Sequence, residues 1–93
     1  MTDTIQMKPG NVLAQLIDGE MVVLNLDNEN YFTFDQVATR FWEVVTEHGH
    51  GEEAVRVLLD EYDVERSTLS ADLDRWVSKM LELELLIQES KDA

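Results

Sequence analysis

The sequence lacks several features that would identify common classes of protein. Its 93 residues include no cysteine, which excludes disulfide bonds and thiolate metal ligands. No apolar run approaches the roughly 18 residues that a membrane-spanning helix needs. The first eight residues have neither the basic cluster nor the apolar core of a secretory signal. These absences predict a cytoplasmic protein that does not bind membranes.

Basic residues are also scarce. Seven lysines and arginines stand against 20 aspartates and glutamates, for a formal charge of −13. A field of this sign repels nucleic-acid phosphates and anionic lipids and attracts basic proteins or peptides. Acidity can also serve solubility alone. The length predicts one domain with one modest core, and leaves little room for a deep active-site pocket.

The residues that could carry catalysis are few and poorly placed. His48 and His50 stand together in a glycine-rich link, far along the chain from any serine in a strained turn. With Glu52 and Glu53 they offer only weak metal-ligand spacing, and exposed imidazoles at a helix end are the better explanation. The glycines do not form a phosphate-binding loop. We therefore predict no catalytic residue, no metal site and no cofactor.

Two apolar runs on either side of Asp18-Gly19 predict a β-hairpin with a two-residue turn. Such a turn sets the register, and the predicted pairs are Ile17 with Glu20, Gln15 with Val22, and Leu13 with Leu24. Both faces of the hairpin are apolar, so the pattern leaves open which face meets the core and whether the other supports a homodimer. After a turn at "DNEN", the run "YFTF" predicts a short third strand.

Three helices are predicted after the strands. Asp35 has the chemistry of an N-cap for the first helix, and the glycines of "HGHG" favour its end. The second helix is predicted at about residues 52–62 and the third at about 68–86. The fold class is therefore α+β, a three-stranded antiparallel sheet followed by three helices. We assign residues 12–87 to one domain, residues 1–11 to a flexible N-terminal arm and residues 88–93 to a C-terminal tail.

The third helix carries more apolar surface than a core alone usually needs. Trp42, on the first helix, is predicted to lie in the core, whereas Trp76 and Met80 are predicted at the exposed edge of the third helix. This arrangement predicts a groove between that helix and the edge strand at residues 31–34. An extended peptide can add to such an edge as a further strand.

A winged-helix DNA-binding regulator is the alternative from another functional class, since short strands beside three helices can form that fold. Recognition helices need cations that face phosphates and bases. On the third helix, however, two cations face four acidic side chains: Arg75 and Lys79 against Asp72, Asp74, Glu82 and Glu84. Charge therefore argues against nucleic acid as a partner.

Three segments, in this order, resemble the PqqD-like family of peptide-recognition domains. The segments are "NYFTFDQVATRFWEVV", "VLLDEYDV" and "ADLDRWVSKMLELELL". Phe34-Asp35 departs from the usual Leu-Asn of the family, and Phe41 from the common isoleucine. The Pro-Glu that often precedes the sheet in proteins of pyrroloquinoline quinone synthesis is missing. The chain looks most like the free-standing recognition proteins of lasso-peptide pathways.

The resemblance implies a winged-helix-like PqqD fold and a non-catalytic adaptor that binds the leader peptide of a ribosomally made precursor. It also implies a separate partner, a transglutaminase-like cysteine leader peptidase to which the precursor is presented. The implied leader contacts are Asn30, Tyr31, Phe32, Thr33, Phe34, Asp72, Leu73, Trp76, Lys79 and Met80. The alternative within the family is a peptide chaperone for a radical SAM enzyme in quinone-cofactor synthesis.

Overall fold

The computed structural model describes residues 3–7 and 11–90, which form five strands and three helices. In chain order the elements are β1 (Asp3–Met7), β2 (Val12–Ile17), β3 (Glu20–Asn25), β4 (Asn30–Thr33), α1 (Gln36–His48), α2 (Gly51–Glu61), α3 (Arg66–Glu82) and β5 (Leu86–Ser90). The predicted α+β class, with a three-stranded antiparallel sheet followed by three helices, is confirmed. None of the described helices is long and apolar enough to cross a membrane.

The three-stranded sheet has the order β2-β3-β4, and its hairpin has the predicted register. Asp18 and Gly19 both adopt positive φ, 52° and 84°, as a tight two-residue hairpin turn requires. The structure also decides which face meets the core. Val23 and its neighbours on the same face are buried, whereas Leu13, on the opposite face, is 57% exposed.

The predictions of a flexible N-terminal arm and a C-terminal tail are wrong where the structure describes those segments. β1 and β5 pair as a two-stranded antiparallel sheet, with Asp3 opposite Ser90. Ile5 is buried, and its backbone N–H donates to the carbonyl of Gly49 at 2.7 Å. Pairing satisfies the backbone of both segments and closes the core under α1. The rest of the predicted arm and tail (residues 1, 2, 8–10 and 91–93) lies outside the described residues.

The third helix ends earlier than predicted, at Glu82 rather than near residue 86. Glu84 takes a positive φ of 61°, which turns the chain out of the helix. Leu85 and Leu86 follow and are both buried. The apolar residues that suggested a longer helix therefore fill the core from a turn and a strand.

The first helix begins and ends as predicted. The carboxylate of Asp35 accepts a hydrogen bond from the N–H of Ala38 at 2.8 Å, and Gly49 ends the helix in the left-handed region at φ 77°. Trp42 is 3% exposed, which confirms its predicted place in the core. The ring of Trp42 contacts those of Phe34 and Trp76, so α1 packs against both the end of β4 and α3.

Candidate functional site

β4 lies at one edge of the three-stranded sheet and, among the described strands, pairs only with β3. The N–H of Phe34, one residue beyond the strand, donates to the carbonyl of Met21 at 2.8 Å, so the backbone of residue 34 faces β3. Backbone groups in a strand alternate between its two edges. The N–H and C=O groups of Tyr31 and Thr33 therefore point away from β3 and form the open edge of the sheet.

Thr39 completes the junction between β4 and α1. Its hydroxyl accepts a hydrogen bond from the N–H of Met21 at 2.9 Å and donates to the carbonyl of Phe34 at 3.3 Å. The buried hydroxyl thus bridges two backbone groups where the direct ladder bond is missing. The strand can therefore pass into the helix without a spacer while its inner edge stays satisfied.

α3 approaches the sheet just beyond the C-terminal end of β4. Asp72, Trp76 and Lys79 are spaced by four and three residues, which places them on one side of the helix. The rings of Phe34 and Trp76 meet with centroids 6.1 Å apart. We use the term β4–α3 groove for the space bounded by the edge of Tyr31 and Thr33 and this side of α3.

The predicted groove residues divide into two groups. Trp76 is half-buried and packs edge-on against the rings of Phe41 and Trp42, so one part of it belongs to the core and the rest to the groove wall. The prediction that Met80 stands at the exposed edge of α3 is wrong, because it is 6% exposed. Leu73, at 1%, is also a core residue.

The remaining predicted site residues lie on the strand side and at the groove rim. Tyr31 and Thr33 are exposed, Phe32 is half-buried against the core and Phe34 is buried. Asn30 is exposed at the beginning of β4, where it pairs with Asn25. The open backbone edge of Tyr31 and Thr33 thus lies next to the contacting rings of Phe34 and Trp76.

An apolar pocket, which sequence reasoning missed, lies between α1 and the first turns of α3. It has a volume of about 170 Å³. We call it the α1–α3 pocket, and its lining residues are Val37, Phe41, Tyr62, Val64, Thr68, Leu69 and Asp72. A cavity of about 150 Å³ can hold a benzene molecule, so this pocket is large enough for one ring or branched side chain. Two of these lining residues, Val37 and Val64, are exposed at 48% and 47%.

The charged residues near the α1–α3 pocket form ion pairs, whereas the β4–α3 groove also carries a lysine that forms none with the described residues. Arg40 of α1 donates two hydrogen bonds to Glu61 at the end of α2, at 2.7 and 2.5 Å, next to the pocket residue Tyr62. These hydrogen bonds from Arg40 hold the pKa of the Glu61 carboxyl below its usual range. Asp72 is paired with Arg75, whereas Lys79 makes no ion pair with any described residue.

This arrangement is suited to binding an extended segment. The edge of β4 offers backbone donors and acceptors, and the rings and the pocket offer apolar contact. Among residues 3–7 and 11–90 no three histidine, aspartate or glutamate side chains are grouped so that they could hold a metal ion. An extended peptide is the ligand that can use both halves of the site.

Comparison with known structures finds the same fold in two peptide complexes. One is "TbiB1 in Complex with the TbiA(beta) Leader Peptide", with 32% sequence identity, a TM-score of 0.81, and coverage of 95% of this chain and 98% of that chain. The other is "Lasso peptide synthetase B1 complexed with the leader peptide", with 19% identity, a TM-score of 0.81, and coverage of 90% and 98%. At that identity the second match shows the fold alone.

Comparison of the sequence gives the family. No curated protein sequence matches the chain. The family model described as "Coenzyme PQQ synthesis protein D (PqqD)" matches residues 20–86, which include β3, β4, all three helices and the β4–α3 groove. The match covers well over half of the chain, and the order of the three motif segments agrees with it. The chain therefore belongs to the PqqD family.

Proposed function

We propose that the protein is a non-catalytic adaptor that binds the leader peptide of a ribosomally made precursor in lasso-peptide biosynthesis. The leader adds to the sheet as a strand beside β4. The observation that carries the proposal is the open edge of Tyr31 and Thr33 beside the ring of Trp76. The leader-peptide complex of a relative that is 32% identical over almost the whole chain supports it.

The energetics of the groove require both backbone and side-chain contacts. Tyr31 and Thr33 together offer two N–H and two C=O groups, and each hydrogen bond contributes about 0.5–1.5 kcal/mol net. Ordering a flexible peptide costs about 2–5 kcal/mol or more, so the edge alone gives weak binding. An apolar side chain buried in the α1–α3 pocket or against Trp76 adds roughly 1.5–3 kcal/mol. Selectivity for a particular leader therefore comes from these anchors.

The two alternatives are less well supported. The family description fits a peptide chaperone in quinone-cofactor synthesis, but the relative with 32% identity carries a leader peptide named TbiA(beta). A DNA-binding role would need a cationic helix surface. On α3 the exposed cation Arg75 is instead paired with Asp72.

Leader binding should slow hydrogen exchange at two specific amides. The N–H groups of Tyr31 and Thr33 face solvent in the free protein, and strand addition places a peptide carbonyl opposite each of them. We expect exchange at both to slow at least about tenfold on addition of the leader of the short precursor encoded nearest to this protein's gene. NMR-detected exchange measures this, and the N–H of Ala14 on β2 is the internal control. Binding without protection at Tyr31 and Thr33 would place the peptide elsewhere.

A second surface supports a protein partner. Leu13, Ile17 and Tyr31 are exposed on the face of the sheet that points away from the core, and Val22 and Leu24 are half-buried between them. We call these five residues the outer sheet face. Contiguous exposed apolar residues of this kind often mark interaction sites.

We assign the outer sheet face to the separate cysteine leader peptidase rather than to a second copy of the chain. Two copies would bring together two molecules that each carry a charge of −13, which opposes self-association. A leader strand added at β4 extends this same face, because alternate side chains of the leader project beside Tyr31. A peptidase docked here would contact the adaptor and its bound substrate at once.

Leu13→Glu should separate the two binding functions. A carboxylate on the outer sheet face loses apolar contact and leaves a charge to be desolvated, so we expect peptidase-dependent leader removal to fall at least about tenfold. Leader affinity should stay within about twofold. The matched control is Leu16→Glu, on the same strand, 52% exposed, but on the opposite side of the sheet. Equal loss of activity in both variants would rule out this surface, and a Leu13-dependent dimer in analytical ultracentrifugation would assign it to a second copy.

A further inference from the structure

We propose that Lys79 binds an acidic side chain of the leader, about four residues C-terminal to the apolar residue that fills the α1–α3 pocket. The groove then recognises a pattern and a direction rather than any extended apolar peptide. This inference rests on the proposed strand addition to β4. It assigns to Lys79 the selection of a negative charge, although the protein as a whole favours positive partners.

The direction follows from how β4 and α3 lie relative to each other. Asn25, which pairs with Asn30 at the beginning of β4, donates through its side chain to the carbonyl of Leu83, just past the end of α3, at 3.5 Å. At the other end of the strand, Phe34 meets Trp76, and the α1–α3 pocket adjoins the first turns of α3. β4 and α3 are therefore antiparallel.

A leader that adds antiparallel to β4 must then run parallel to α3. Both strand pairings in this sheet are antiparallel, and antiparallel pairs are the more stable kind per residue. The N-terminal part of the bound segment lies at the α1–α3 pocket, and its C-terminal part passes Trp76 and then Lys79. From its N-terminal to its C-terminal end, the leader therefore contacts first the α1–α3 pocket, then Trp76 and finally Lys79.

The spacing follows from the geometry of helix and strand. From the pocket residues Leu69 and Asp72 to Lys79, α3 rises about 10–15 Å at about 1.5 Å per residue. An extended peptide covers that distance in three to five residues at about 3.3 Å each, and only every second side chain faces α3. Four residues is the spacing that keeps the anchor and the acidic side chain on the same face.

The charges around the groove favour Lys79 for this contact. Asp72, at the pocket end, is an anion already paired with Arg75. Lys79 is exposed at the other end and has no described ion-pair partner. An acidic side chain elsewhere on the leader would meet the general negative field of the protein, whereas at Lys79 it meets a local cation.

The test is a charge exchange between protein and peptide. The probe is the fluorescein-labelled leader of the precursor encoded nearest to this protein's gene, in versions with a single aspartate or lysine at each position on either side of its apolar anchor. Affinities are measured by anisotropy at low salt for the unaltered protein and for Lys79→Glu. The control Arg56→Glu changes the net charge equally but lies on the exposed face of α2, outside the groove.

At one position, about four residues after the anchor, the unaltered protein should prefer aspartate and Lys79→Glu should prefer lysine, each by about three- to tenfold. The preference should shrink at high salt and be the same in Arg56→Glu as in the unaltered protein. If the leader binds but Lys79→Glu changes the affinity equally for every peptide version, this inference is overturned and the proposed function stands. A coupled position N-terminal to the anchor would overturn the direction. Failure of every version to bind would overturn the proposed function, and this inference with it.

Discussion

Thr33→Pro is expected to weaken leader binding by about 10- to 100-fold while the domain stays folded. The N–H of Thr33 points to the open edge of the sheet, so its removal costs the sheet no ladder bond. The proline ring would fill the space that a leader carbonyl must enter, and that carbonyl would lose its donor. An unsatisfied buried acceptor costs about 1–3 kcal/mol, which corresponds to the expected loss of affinity. Fluorescence anisotropy with labelled leader measures it.

Ala14→Pro is the matched control for this variant. The N–H of Leu26 donates to the carbonyl of Asn11 at 2.8 Å, and the alternation that follows points the N–H of Ala14 to the other open edge of the sheet, on β2. That edge lies on the opposite side of the sheet from β4, so we expect unchanged leader affinity. Similar circular dichroism spectra for the two variants would show that both fold. Equal affinity of both for the leader would exclude strand addition to β4.

Trp42→Ala is expected to lower the free energy of unfolding by about 3–5 kcal/mol, the largest effect on stability among these predictions. Trp42 is 3% exposed, and its ring meets those of Phe34 and Trp76 at 5.7 and 6.4 Å. Its truncation removes apolar contact and leaves a cavity that the surrounding rings cannot fill. A domain of this size has a stability of roughly 5–10 kcal/mol, so the variant should be marginally folded at 37 °C. Urea unfolding followed by circular dichroism gives the value.

Trp76→Ala provides the contrast within the same ring cluster. Because Trp76 is half-buried, its truncation should cost less folding stability than truncation of Trp42, but it should also remove the groove wall and weaken leader binding. For Trp42→Ala, leader affinity measured at low temperature, where the variant is folded, should stay close to normal. A larger loss of stability for Trp76→Ala than for Trp42→Ala would mean that Trp76 serves the core alone.

Local chemistry explains which parts of the fold could be predicted from the sequence. The Asp18-Gly19 turn fixes the hairpin register because a two-residue turn needs residues that accept positive φ. Asp35 and Gly49 mark the ends of α1 for equally local reasons. In each case, the signal depends on adjacent residues and does not require knowledge of the rest of the fold.

Parts of the fold that depend on distant contacts could not be predicted in the same way. The pairing of β1 with β5 joins segments from opposite ends of the described chain, and neither has a period that reveals it. Glu84 adopts a left-handed backbone conformation without being glycine or asparagine, so the end of α3 had no sequence marker. The apolar face of α3 predicted a groove, but only the packed structure shows that Met80 is buried and Trp76 is partly exposed.

The functional site shows the same limit. The edge strand and Trp76 were visible in the sequence because they are short local patterns. The α1–α3 pocket was not, since its walls come from α1, the α2–α3 link and α3. The hydroxyl of Thr39 was equally hidden, because its two hydrogen bonds reach residues 18 and five positions away.

The pairing of β1 with β5 also bears on the order in which the chain folds. Bringing these strands together closes a loop of nearly the whole described chain, which is the costliest closure in the molecule in terms of chain entropy. The β2–β3 hairpin and the junction of β4 with α1 involve short sequence separations and can form early. The open edge of β4 therefore belongs to the low-contact-order part of the domain, whereas the groove wall on α3 and the two-stranded sheet depend on contacts between residues that are distant in the sequence.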